Sequence, residues 1–167
     1  GGLSGASDDI PVLPAAAADV ITLISGFETY LPGDSVNSGK TDTDPPLELA
    51  RRGTYTVTAY PVDRYFNRTA TTHGNPAALS VAADVGDVTI TPSTGDFDAS
   101  TYTFTFTISP QETGARTVTL TDADLGSATD ASSFTVITAV TTAVFAALDD
   151  TTEIAGRTHP FSVDLTF

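Results

Sequence analysis

The stretch STYTFTFTIS, residues 100–109, decides the fold. Tyr102, Phe104, Phe106 and Ile108 take every second position, and Thr101, Thr103, Thr105 and Thr107 fill the places between. Successive side chains of a β-strand point to opposite faces, so this pattern is a strand with one face in an apolar core and the other in water. Working outward, GTYTVTAYPV (53–62) alternates in the same way, with Tyr55, Val57 and Ala59 opposite Thr54, Thr56 and Thr58. AALSVAA (77–83), DVTITP (87–92), RTVTLTD (116–122) and SSFTVITAV (132–140) continue the series, and DVITLI (19–24) opens it. No segment carries a helical period. Seven short strands separated by turn residues imply an all-β antiparallel sandwich over residues 19–140. Its core is expected to contain Tyr55, Val57, Phe104, Phe106, Val118, Leu120, Phe134 and Val136.

Two segments flank this domain. Residues 1–18 are rich in Gly, Ser, Asp, Pro and Ala without a period and read as an extended N-terminal tail. Residues 141–167 contain two further apolar runs, TAVFAAL (142–148) and PFSVDLTF (160–167). The second places Phe161, Val163, Leu165 and Phe167 on one face. IAGRTHPFSVDLTF (154–167) also parallels LARRGTYTVTAYPV (49–62), so these strands resemble the start of a second repeat. An apolar edge strand without a mate invites pairing with another chain, which makes this stripe the candidate subunit interface. The alternative is that the chain is a piece of a longer tandem protein.

Composition narrows the function. Twenty-one acidic residues against seven basic ones give a net charge of −14. Such a surface repels nucleic acid and anionic lipid, so neither is expected as a partner. No apolar run approaches the roughly 20 residues of a membrane-spanning helix. The absence of cysteine removes disulfides, thiol catalysis and cysteine-ligated metals. Thirty threonines suit the solvated faces of sheets, and with the acidic surface they favour an extracellular or cell-surface location.

YLPGDSVNSGKTDTDPP (30–46), followed by GTYTVTAYPVDRYFN (53–67), resembles the tandem immunoglobulin-like repeats of large prokaryotic cell-surface proteins. The likeness rests on Leu31-Pro32-Gly33-Asp34, Gly39-Lys40-Thr41, Gly53-Thr54, Val62-Asp63, Phe66-Asn67 and Thr117 to Asp122, over about residues 20–140. Asp34 stands where the repeats carry Glu, Phe66 where they carry Trp, and THGNP (72–76) reads as an insertion. The resemblance implies an immunoglobulin-like β-sandwich and a structural role in stalks, adhesins or extracellular polymers, with no enzymatic activity.

In such a sandwich three turns gather at one end. Here they would bring together Asp63, Asn67, Asp96, Asp98, Asp122, Asp124 and Asp130. Clustered carboxylates repel one another unless a hard cation sits among them, and an all-oxygen ligand set suits calcium, the one candidate cofactor. The simpler alternative is that each Asp caps its own turn. Asn67-Arg68-Thr69 is an N-glycosylation sequon, again with a plainer alternative in which Asn67 braces the turn. His73 and His159 lie in unrelated turns and read as surface residues. No nucleophile elbow, phosphate loop or catalytic acid pair is present: the GKT at 39–41 lacks the glycine spacing of a P-loop and opens no helix. The sequence therefore points to a non-enzymatic structural subunit of an extracellular filament, stalk or sheath, assembling head-to-tail with copies of itself by strand pairing. The alternative is an adhesin-type module that binds glycan or protein, with or without calcium.

Overall fold

The computed structural model describes residues 13–41 and 47–138. They form an all-β sandwich of nine strands: β1 (Asp19–Ile24), β2 (Leu47–Ala50), β3 (Tyr55–Val62), β4 (Leu79–Ala83), β5 (Val88–Thr91), β6 (Thr94–Gly95), β7 (Phe104–Pro110), β8 (Gly114–Asp122) and β9 (Ala128–Ile137). One sheet has the order β1-β3-β7-β5 and the other β2-β9-β8-β4-β6. Every pairing is antiparallel except that of β2 with β9, which runs parallel from Leu47↔Phe134 to Ala50↔Ile137.

The opening stretch lies at the centre of its sheet. In β7, Phe104, Phe106 and Ile108 are buried while Thr105 faces solvent and Thr107 is half covered. Its register against β3 sets Phe106 opposite Val57 and Ile108 opposite Tyr55, so the apolar positions of the two strands share one face. The other sheet answers with Val118, Leu120, Phe134 and Val136, all buried in the same core. Seven of the eight expected core residues are buried, and Tyr55 is half buried. Tyr55 is placed there by its hydroxyl, which donates to Ala50 O and accepts from Ala50 N–H at 2.6 Å.

Several expectations change. Tyr102 does not belong to β7: it sits in the preceding turn at φ 53°, and the strand begins at Phe104. The described residues hold nine strands in place of seven, because β2 and β6 lie in segments to which the sequence pattern assigns no strand. The four residues of LELA and the two of β6 are too short to show a period. The extended tail is held where it meets the sandwich, with Ala18 N–H donating to Val62 O at 2.9 Å. The expected strands at 142–148 and 160–167, His159, and the stripe of Phe161, Val163, Leu165 and Phe167 lie outside the described residues.

Candidate functional site

Four of the six Asp side chains expected to gather at these turns act as caps. Asp63, 1% exposed, follows β3 directly. Its Oδ1 accepts the N–H groups of Tyr65 at 2.8 Å and Asn67 at 2.9 Å, and its Oδ2 accepts that of Ala15 at 2.9 Å. Burial opposes the Asp63 charge, but the N–H donors of Asn67, Ala15 and Tyr65 outweigh it and hold the carboxyl below its usual range. Asn67 braces the same turn, its Nδ2 donating to both Asp63 oxygens at 3.3 Å. That nitrogen is the one a glycan would use, and Thr69 of the sequon is itself buried.

Asp96, Asp98 and Asp122 repeat the device. Asp96 accepts from the N–H groups of His73, Asn75 and Phe97. Asp98 gathers Ser100 and Thr101, through both backbone and hydroxyl, and these bonds lower its pKa to about 2. Asp122, fully buried, caps Asp124 and Leu125 through Oδ1, and its Oδ2 meets His73 Nε2 at 2.9 Å. His73 is therefore not a surface residue. Its side chain is 7% exposed and its ring lies 5.7 Å from that of Phe97, because the end of β8 supplies a carboxylate and the segment after β6 an aromatic wall. Among the described residues the Asp124 side chain reaches only Asn75 Nδ2, at 3.5 Å. Among the described residues no three His, Cys, Asp or Glu side chains stand together in a way that could hold a metal ion.

Asp130 is committed elsewhere, to a polar nest at the seam between the sheets. The excursion from β1 to β2 delivers its partner. Asp34 caps Val36 and Asn37, and the chain closes on itself where Leu31 N–H donates to Gly39 O at 2.8 Å. Gly39 is required: its φ is +76°, and a Cβ there would stand 2.8 Å from Phe66 Cβ. Tyr30 accepts the N–H of Arg68 and donates to Phe66 O, and the Arg68 guanidinium lies 3.8 Å from the centre of the Tyr60 ring. The excursion is thereby pinned to the turn after β3, and the next residue, Lys40, enters the seam.

There Lys40 Nζ stands 2.8 Å from Asp130 Oδ2 and 3.9 Å from Glu28 Oε1. Asp130 Oδ2 also accepts Thr22 N–H at 2.7 Å and the Thr22 hydroxyl at 2.6 Å. Glu28 Oε2 accepts Ile24 N–H at 2.6 Å. Burial pushes the Glu28 carboxyl above its usual range, against the pull of Lys40. Ser132 adds a hydroxyl contact to Thr22 at 3.2 Å. An open polar cavity of about 360 Å³ borders the group, with Asn37, Ser38, Thr41 and Ser133 on its wall. Sequence reasoning named only Asp130 here. The available signal was that Lys40 is the sole lysine of the chain.

These observations define the class as an all-β sandwich of two sheets with cap-braced turns. No family model and no curated sequence matches the chain. Among solved structures it is similar to the S-layer protein SbsC, domains 4 and 5, at 18% identity with a TM-score of 0.38. The match covers 55% of this chain and 47% of that one, so the chain spans about half the length of that structure.

Proposed function

We propose that the chain is a non-enzymatic structural module of an extracellular or cell-surface assembly, of the immunoglobulin-like kind, and that copies join head-to-tail by strand pairing. The observation that carries this reading is the clasp between the two sides of the chain. β2 runs parallel to β9 over four residue pairs, so tension drawing the chain apart from both sides slides the two strands along each other. All their hydrogen bonds then resist together instead of parting one at a time. The strand order supports the immunoglobulin-like reading, since the chain crosses from the edge of one sheet at β1 to the edge of the other at β2. Turns closed by buried or charged caps add stiffness without offering reactive groups. The apolar stripe Phe161, Val163, Leu165 and Phe167 is the segment assigned to the contact between copies, on the strength of its alternation in the sequence.

Electron microscopy of the purified chain, across a range of concentration and salt, tests the proposal. Filaments, sheets or linear arrays are expected, together with their loss when residues 158–167 are deleted from a chain that stays folded. Isolated particles under every condition, or arrays that survive the deletion, would overturn it.

A further inference from the structure

Lys40, Asp130 and Glu28 form a group that the proposed assembly does not use. Lysine is among the residues least often withdrawn from solvent, yet the only lysine of this chain is 13% exposed, as is Asp130, and Glu28 is 4% exposed. Among the described residues the other oxygens that Lys40 Nζ reaches are the carbonyls of Thr22 at 3.4 Å and Ala131 at 3.5 Å. An amine is thus held against a carboxyl group at hydrogen-bond distance. Two donors from Thr22 meet on the carboxyl oxygen where negative charge would gather if the amine attacked the adjacent carbon. A buried carboxyl, Glu28, lies beside the amine, and the bordering cavity gives a small leaving molecule a way out.

We propose that Lys40 and Asp130 are joined by an intramolecular amide, Nζ to Cγ, with Glu28 transferring the protons. The reaction begins with transfer of one proton from the Lys40 ammonium to the carboxylate, which places an amine beside a carboxylic acid. The amine attacks Cγ, and the electron pair of the C=Oδ2 bond moves onto Oδ2, between the two Thr22 donors. Glu28 gives a proton to the departing Oδ1 hydroxyl and accepts one from nitrogen. The Cγ–Oδ1 bond breaks and water leaves. Ammonium and carboxylate thus become amide and one water, with Glu28 returned to its starting state and no oxidant or co-reactant consumed. Fixing the two groups in contact supplies the proximity that the reaction lacks in solution. The bond would tie the β1–β2 excursion to β9 across 90 positions of sequence, in a chain with no cysteine for a disulfide. It does not depend on what the module assembles into.

The mass of the intact purified chain tests this directly. The wild type should be lighter than its sequence by one water, and proteolysis should yield a branched peptide joining the Lys40 and Asp130 segments. Its ε-amine should stay unreactive to acylating reagents after denaturation. Glu28→Gln and Asp130→Ala should both show the full sequence mass and a reactive Lys40. A wild-type chain of full mass overturns the proposal. So does a loss of water that leaves Lys40 reactive, since an aspartate cyclised onto its own backbone would give that result.

Discussion

Asp63 offers the sharpest test of the turn-cap reading. Three backbone donors, those of Ala15, Tyr65 and Asn67, end on its two oxygens at 2.8 to 2.9 Å, and the residue is 1% exposed. Asp63→Ala leaves all three without a partner where water enters poorly. A hydrogen bond to a charged group is worth about 1.5–3 kcal/mol, and an orphaned buried donor costs about 1–3 kcal/mol. Some relaxation of the turn lowers the sum, so about 3–5 kcal/mol is expected for Asp63→Ala. Asp63→Asn keeps one acceptor but turns an NH₂ toward a donor, and about 2 kcal/mol is expected. The depressed pKa gives the effect a pH signature. Because the folded carboxyl titrates below the unfolded one, its stabilisation is complete above the unfolded pKa and disappears as pH falls through the folded value. Urea unfolding followed by circular dichroism, at neutral and at acid pH, reads both quantities. The wild type and Asp63→Ala should differ at neutral pH and converge in acid, and chelator should change neither curve. If Asp63→Ala costs under about 0.5 kcal/mol, or if chelator alone reproduces the loss, the caps are not what the carboxylate is for.

Phe106→Ala removes a fully buried ring that faces Val57 across the β3–β7 ladder, and should cost about 3–5 kcal/mol in the same assay. A cost near zero would mean that the strand register is wrong. Gly39→Ala combines a left-handed φ with a 2.8 Å approach to Phe66 Cβ. It should destabilise by about 1–3 kcal/mol, whereas Gly26→Ala, with open space around it, should lose only the left-handed penalty. Equal effects at the two positions would show that the Phe66 contact is not formed. The Asp98 carboxyl should titrate by NMR with a midpoint of about 2, and an ordinary carboxylate midpoint would refute its four hydrogen bonds.

The sandwich was legible because its central strands alternate without a break, as Phe104 to Ile108 does. The short edge strands were not, since LELA acquires its strand geometry from pairing with β9 and not from any local period. The candidate site was half legible for a related reason. That Asp63, Asp98 and Asp122 end strands or open turns can be read locally, whereas the groups filling their lone pairs come from as far away as Ala15 and His73. His73 shows the limit most clearly: nothing in THGNP marks a buried ring, because its burial is conferred by Asp122 and Phe97. The Lys40–Asp130 contact spans 90 positions and becomes visible only when the β1–β2 excursion is seen folded back on the turn after β3.

The clasp and the Lys40–Asp130 bond make separable predictions when one molecule is pulled from both sides. With no amide, tension between residues 13 and 138 first strips β1 from β3, then shears β2 against β9 and unfolds the rest of the sandwich. With the amide, tension passes from the excursion at Lys40 straight into β9 at Asp130, and the 90 intervening positions stay enclosed. An extended residue spans about 3.3–3.6 Å, so the enclosed loop withholds roughly 300 Å of extension. Glu28→Gln should release that length at a high rupture force, because the parallel strands are intact. Adding Leu49→Ala to it removes a fully buried side chain of the clasp opposite Val136, and should lower the force while leaving the released length unchanged. Leu79→Ala, equally buried but in β4, should cost similar thermal stability with little change in force. If the two Leu variants weaken the module equally under tension, the β2–β9 pairing does not resist the pull, whatever the fate of Lys40. If the wild type releases the full length, the bond is absent while the clasp argument stands.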